Sequence, residues 1–158
     1  MRRFEKISFE QFEKDISDDK SLYESYLLPK RSSKFSAGYD FFAIEAFTLL
    51  PGEIKKVPTG YKFIAEDDDM LMILVRSSMG FKYNVRLCNQ VGIIESDYYN
   101  NESNEGHMWV ALQNHGDKPY VVEKGQAYSQ GIFTKFLITD DDMADGVRQG
   151  GLGSSDEA

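Results

Sequence analysis

The sequence predicts an all-β protein, a jelly-roll-like β-barrel with a short N-terminal helix in front and a flexible C-terminal tail behind. Three observations carry that prediction. From Ser36 to Phe136, short β-rich runs alternate with turn signals such as Pro51-Gly52, Asp67-Asp68-Asp69 and Asn114-His115-Gly116-Asp117. Helical spacing appears once, before that region, and apolar periodicity stops after it. A chain of 158 residues with 41% hydrophobic and 13% aromatic residues can bury one sizeable core and is short for two domains.

Ser8-Phe9-Glu10-Gln11 reads as a capping box, and Phe9, Phe12 and Ile16 recur at helical spacing behind it. The helix should end before the polar stretch Ser17 to Lys20. Strands are expected at Tyr39–Leu49, Ile54–Val57, Tyr61–Ala65, Leu71–Arg76, Val91–Ile94, Met108–Gln113, Tyr120–Glu123 and Ala127–Phe136, a number that suits a jelly roll. The acidic run Asp140 to Asp145 and the Gly-rich end Arg148 to Ser155 hold nothing periodic to bury, which predicts a mobile tail. The division is therefore a helical extension over 1–28, a barrel over 29–139 and a tail over 140–158.

A formal net charge of −8 argues against a nucleic-acid surface, which needs many Lys and Arg to neutralise phosphates. The longest apolar run, Met70 to Val75, is strand-sized, so no membrane span is expected. One cysteine, Cys88, leaves no internal disulfide, and the N-terminus lacks a signal-peptide pattern, so a reducing cytoplasm is the expected compartment. His107, His115 and Cys88 lack zinc-site spacing and read as packed or surface residues.

The chemistry lies in short segments at strand ends and turns. A triphosphate needs a planar multi-donor cation, hydroxyls and free backbone N–H groups, and Arg76-Ser77-Ser78 beside Gly80 offers all three. Ser36-Ala37-Gly38-Tyr39-Asp40, Arg76-Ser77-Ser78-Met79-Gly80, Gly92-Ile93-Ile94-Glu95-Ser96-Asp97-Tyr98, Gly125-Gln126-Ala127-Tyr128-Ser129-Gln130 and Arg148 through Ser155 follow one another as five motifs. In that order and combination they resemble the motifs of the trimeric dUTPase family.

The resemblance implies hydrolysis of dUTP to dUMP and pyrophosphate, by attack of an activated water on the α-phosphate. It implies that Arg76, Ser77 and Ser78 bind phosphate oxygens and that Gln130 adds an amide donor. Arg148 with Gly153, Ser154 and Ser155 would close over the outer phosphates. Asn89 would read uracil, since an amide matches both an N–H and a carbonyl, with the backbone of Gly92, Ile93 and Ile94 completing the readout. Tyr98 would pack under the deoxyribose and leave no room for a 2′-hydroxyl. Asp40 would support the site's arginines or the hydrated metal, Glu95 would be the general base, and Asp97 stands next to it. Mg2+ would be held by the phosphates and water, with no dedicated protein cage. The family's homotrimer shares its active sites, with the tail of one subunit reaching across another.

Three positions depart from the family pattern. Glu95 stands where the family carries Asp, and Leu152 stands where it offers a Phe that stacks on uracil, a role Phe81 or another aromatic would have to fill. Asn100 to Glu105 is a polar insert, expected as a surface loop. The competing readings are a dCTP deaminase relative, whose catalytic Glu would fall near Ala111, and a nucleotide-binding regulator with weak turnover.

Overall fold

The computed structural model describes residues 1–148 and 150. In chain order its elements are β1 (Arg3–Lys6), α1 (Phe9–Asp15), α2 (Lys20–Ser25), β2 (Lys30–Arg31), β3 (Tyr39–Phe42), β4 (Phe47–Leu49), β5 (Ile54–Pro58) and β6 (Tyr61–Ile64). There follow β7 (Asp69–Leu74), α3 (Ser77–Tyr83), β8 (Val85–Leu87), β9 (Gly92–Glu95), a 3-10 turn at Ser96–Tyr98, β10 (Trp109–Asn114), β11 (Tyr120–Val122) and β12 (Ala127–Lys135). The fold is the predicted all-β jelly roll. Its largest sheet has the order β2-β3-β12-β7-β9, and further pairings are β5-β10-β8, β11-β4 and β1-β6.

α1 forms where the capping box predicts it, with the Ser8 hydroxyl accepting from Gln11 N at 3.1 Å. The return half of the box is made differently. Gln11 turns instead to Asp15, and Glu105 supplies the carboxylate, accepting from Ser8 N at 2.9 Å and from its hydroxyl at 2.6 Å. A second helix, α2, follows where the sequence suggested none, because Asp19 caps it by accepting from Leu22 N. β1 is also additional: it pairs antiparallel with β6, from Arg3 opposite Ile64 to Lys6 opposite Tyr61. Ile7, Phe12, Leu22 and Tyr26 thereby join the core that Phe41, Tyr61, Phe63, Leu71 and Leu112 fill from the sheets.

The run expected as one strand over Tyr39–Leu49 is two. β3 pairs with β12, whereas β4 pairs with β11 in a different sheet. The chain changes sheets at Ala43, which donates to Gln126 O and accepts from Gly125 N, so an unbroken strand would have to belong to both sheets at once. The segment after β7 also differs from expectation: the chain enters α3 at Arg76, and Asn84 ends the helix in the left-handed conformation at φ 53°. Serines right after Arg76 open that helix, a role its polar character hid. Among the described residues no helix is long and apolar enough to cross a membrane.

Candidate active site

β-sheet register brings the first, second and fourth motifs together. Gln130 of β12 lies opposite Asp40 of β3 on one side and opposite Leu74 of β7 on the other. Two residues beyond Leu74, Arg76 reaches back so that its Nε stands 3.1 Å from Asp40 Oδ1. This bridge is part-exposed, with Arg76 at 40%, so it fixes direction more than it stabilises. Gln130 donates through Nε2 to Val75 O at 3.1 Å. Gly38 is needed beside it: a Cβ there would sit 2.0 Å from Gln130 Oε1. Ser77 and Ser78 are exposed on the first turn of α3. Together with Ser36 and Ser32 these residues line an open groove rich in donors, in which the Arg76 guanidinium is half-exposed and its partner Asp40 largely buried.

The third motif is built on the far edge strand. β9 pairs with β7 so that Gly92 faces Ile73 and Glu95 faces Met70. Asn89 is exposed on the turn that leads into β9, close to Gly92. Ile93 is partly exposed and Ile94 packs against the core. Ser96, Asp97 and Tyr98 leave the strand and form a 3-10 turn. That turn points Asp97 to solvent and buries Tyr98, which is 7% exposed.

Arg148 is the described end of the fifth motif. Its Nη2 donates to Glu95 Oε2 at 3.0 Å and its Nε to Asp97 Oδ1 at 2.9 Å, so the guanidinium bridges both carboxylates. Leu152, Gly153, Ser154 and Ser155 lie outside the described residues. Phe81, on α3, is 93% exposed, the side chain that sequence reading offered as a substitute for the stacking Phe.

The sheet also keeps apart what the sequence listed together. Glu95 and Asp40 are separated by three strand spacings across the sheet and by the four residue steps from Met70 to Leu74 along it. At about 4.8 Å per strand and about 3.3 Å per residue, their backbones stand ~20 Å apart. Arg76 leans toward Asp40, which carries it further from Glu95.

The insert after Tyr98 was the feature sequence reasoning understood least. Rather than a plain surface loop, residues 100–107 form a hydrogen-bonded knot. Glu105 holds Ser8 and Lys62, with Lys62 Nζ at 2.5 Å, and Lys62 also donates to Asn100 Oδ1 at 2.8 Å. Burial would push the Glu105 carboxyl up, but the bonds from Lys62 and Ser8 outweigh it and hold it below its ordinary value. His107 is fully buried; Nε2 accepts from Gly60 N at 2.9 Å, which leaves Nδ1 to donate to Asp15 Oδ2 at 2.6 Å. Desolvation keeps its pKa below the usual histidine value despite Asp15. Both ring nitrogens are spent on structure, as the packed reading of His107 expected. Among the described residues, no three His, Cys, Asp or Glu side chains are grouped to hold a metal ion.

A jelly roll that gathers an arginine, two serines and a glutamine in a groove, with an exposed carboxylate on a separate edge turn, defines a phosphate-ester-handling β-protein. Comparison with known proteins names the family. The dUTPase family model matches residues 24–155, and the chain belongs to the dUTPase family. A deoxyuridine 5′-triphosphate nucleotidohydrolase of Lactococcus lactis subsp. lactis is 45% identical over 130 residues, covering 81% of this chain and 87% of that protein. The crystal structure of dUTPase from Streptococcus mutans superposes with a TM-score of 0.69 at 37% identity, covering 87% of this chain and 98% of that one. A dUTPase from phage phi11 of Staphylococcus aureus, in which a structural Mg(II) ion is coordinated, shares the fold at 14% identity and a TM-score of 0.66, covering 92% and 97% of the two chains.

Proposed function

We propose that this protein hydrolyses dUTP to dUMP and pyrophosphate at active sites shared between copies of the chain in a homotrimer. The observation that carries the proposal is the ~20 Å between the phosphate groove and Glu95 within one chain. No side chain spans that gap to a single phosphorus, so the groove of one subunit must meet the edge turn of another. An active site completed by neighbours also gives the exposed Arg76 groove and the exposed edge strand β9 a common explanation.

In this reading Arg76, Ser77, Ser78 and Gln130 take the phosphate oxygens, with Asp40 directing Arg76. Asn89 and the backbone of Gly92 to Ile94 read uracil, Tyr98 excludes a 2′-hydroxyl, and Leu152 covers the base. Glu95 takes a proton from the attacking water, whose oxygen bonds to the α-phosphorus as the bond to the bridging oxygen breaks and pyrophosphate leaves. Arg148, with Gly153, Ser154 and Ser155, closes on the outer phosphates. The Glu95 and Asp97 carboxylates that Arg148 holds are half-exposed, which supports its exchange onto a more highly charged partner. Mg2+ belongs with the substrate: when bound it neutralises phosphate charge, held by the phosphates and water, as the donor-rich groove suits phosphate better than a cation. The exposed thiol of Cys88 fits a reducing cytoplasm.

Complementation tests the shared site. Arg76→Ala and Glu95→Gln proteins should each lose most of their turnover; after unfolding and refolding together, mixed trimers contain some sites with both native residues, and pyrophosphate release from dUTP should recover. No recovery in verified mixed trimers would refute a site built from two chains. Assays with the other dNTPs and UTP fix the substrate, and equal rates on UTP would remove Tyr98 from its role.

A further inference from the structure

Tyr98 is gripped at both ends by two asparagines of the insert. Its hydroxyl accepts from Asn104 Nδ2 at 2.8 Å, and its carbonyl accepts from Asn101 Nδ2, also at 2.8 Å. The asparagines are joined, Asn101 Nδ2 donating to Asn104 Oδ1 at 2.8 Å, while Asn101 Oδ1 accepts from Ser103 N and from Asn104 N. Gly106 closes the knot at φ +82°, where a Cβ would come within 2.8 Å of Tyr98 O. The tyrosine ring turns about only two bonds, and pinning both its hydroxyl and its backbone leaves it one orientation.

We propose that Asn104 is a positioning residue for sugar discrimination: through the Tyr98 hydroxyl it sets the face of the ring against which a 2′-hydroxyl is rejected. The inference rests on the reading of Tyr98 as the group beneath the deoxyribose and gives the insert a function. Steric rejection of one oxygen needs a wall held to within about 0.5 Å, and a ring free to tilt yields more than that. Glu105, His107 and their partners Ser8, Lys62 and Asp15 anchor the knot to α1 and β6, so the clamp has a rigid base. The Tyr98 hydroxyl also donates to His107 O at 3.4 Å, and Asn104 Nδ2 reaches the same carbonyl at 3.2 Å, which ties clamp and anchor together.

The test is the ratio of kcat/KM for dUTP to that for UTP, measured with melting temperature on the full-length protein. N104A should lower the ratio about fivefold to tenfold, the weight of one buried hydrogen bond, mainly by improving UTP turnover. Y98F, which keeps the ring and removes the hydroxyl's bonds to both Asn104 and His107 O, should lower it at least as far, and the double variant should fall no further than Y98F alone. Ser103→Ala removes only the Ser103 hydroxyl's 2.7 Å bond to Asn101 Oδ1, leaves both bonds to Tyr98 in place, and should shift the melting temperature while leaving the ratio unchanged. If N104A does not fold, Y98F carries the test. A ratio that survives N104A and Y98F but collapses in Tyr98→Ala overturns the clamp and keeps the sugar reading. A ratio that survives Tyr98→Ala overturns the sugar reading itself.

Discussion

The phosphate groove and the edge turn are built to different degrees of completion. In the groove the two longest working side chains are fixed from the sheet: Arg76 by Asp40, and Gln130 by Val75 O beside the bare Gly38. At the turn, the buried half is fixed just as firmly, with Tyr98 clamped by the insert, but Glu95 and Asp97 are held only by Arg148 from a segment without regular structure. Under the proposed function, the groups assigned to the triphosphate are thus preorganised, while the carboxylate assigned to the water has a partner it can exchange. Sheet hydrogen bonding explains the contrast. Gln130 and Asp40 sit in the middle of a ladder that sets their positions, whereas β9 is the last strand of its sheet and leaves its outer side to be met from elsewhere.

The largest expected effect breaks the turn alone. Glu95→Gln should lower dUTP turnover by about a hundredfold to ten-thousandfold, the usual worth of a general base, while dUTP binding by calorimetry stays near wild type. Glu95→Asp, shorter by ~1.5 Å, should keep or raise the rate. Normal turnover in Glu95→Gln would pass the base role to Asp97.

Breaking the groove should look different. Arg76→Ala should cost about a hundredfold to a thousandfold in turnover and weaken binding as well, because the same donors meet ground and transition states. Asp40→Asn, which leaves Arg76 in place without its guide, should cost far less. If Arg76→Ala changed kcat with no change in KM, the groove would be acting only in the transition state.

Ending the chain after Gly146 tests whether the turn depends on the exchanged partner. That protein should melt within a few degrees of wild type, since Val147 is 84% exposed and Arg148 pairs only with half-exposed carboxylates, yet lose most of its turnover. An active truncated protein would mean that the groove closes over the phosphates unaided.

The smallest effects concern the scaffold beneath the turn. His107 is buried neutral, so its pKa is lower folded than unfolded; as pH falls below about 6.5 the unfolded chain gains a proton that the folded chain refuses. Stability should therefore fall on acidification from pH 7 to pH 5.5, by at most about 1.4 kcal/mol per pH unit from this group. A His107→Asn protein should show a lower melting temperature at pH 7 but a shallower acid slope, and an unchanged slope would place the titration elsewhere. Tyr128, whose buried hydroxyl finds no partner, should tolerate Tyr128→Phe with stability unchanged or raised by about 1 kcal/mol, measured by urea unfolding.

The sequence by itself determined the fold class and the positions of most strands, and it picked out the segments to which the proposed function assigns the work. Those are properties of local pattern: period-two runs, turn residues, and motifs short enough that an arginine and its serines are neighbours in the chain. Even there it missed β1, α2 and β8, whose short runs of ordinary residues gain their structure from partners such as β6 and β10. Only the tertiary structure decided where the segments lie relative to one another. That Asp40 meets Arg76 while Glu95 stands ~20 Å away follows from strand order and register, which hydrogen bonding between residues dozens apart sets. The insert shows the same division: six polar residues read as a loop, and it took Ser8, Lys62 and Asp15, each distant in sequence, to turn them into the fixed support of Tyr98.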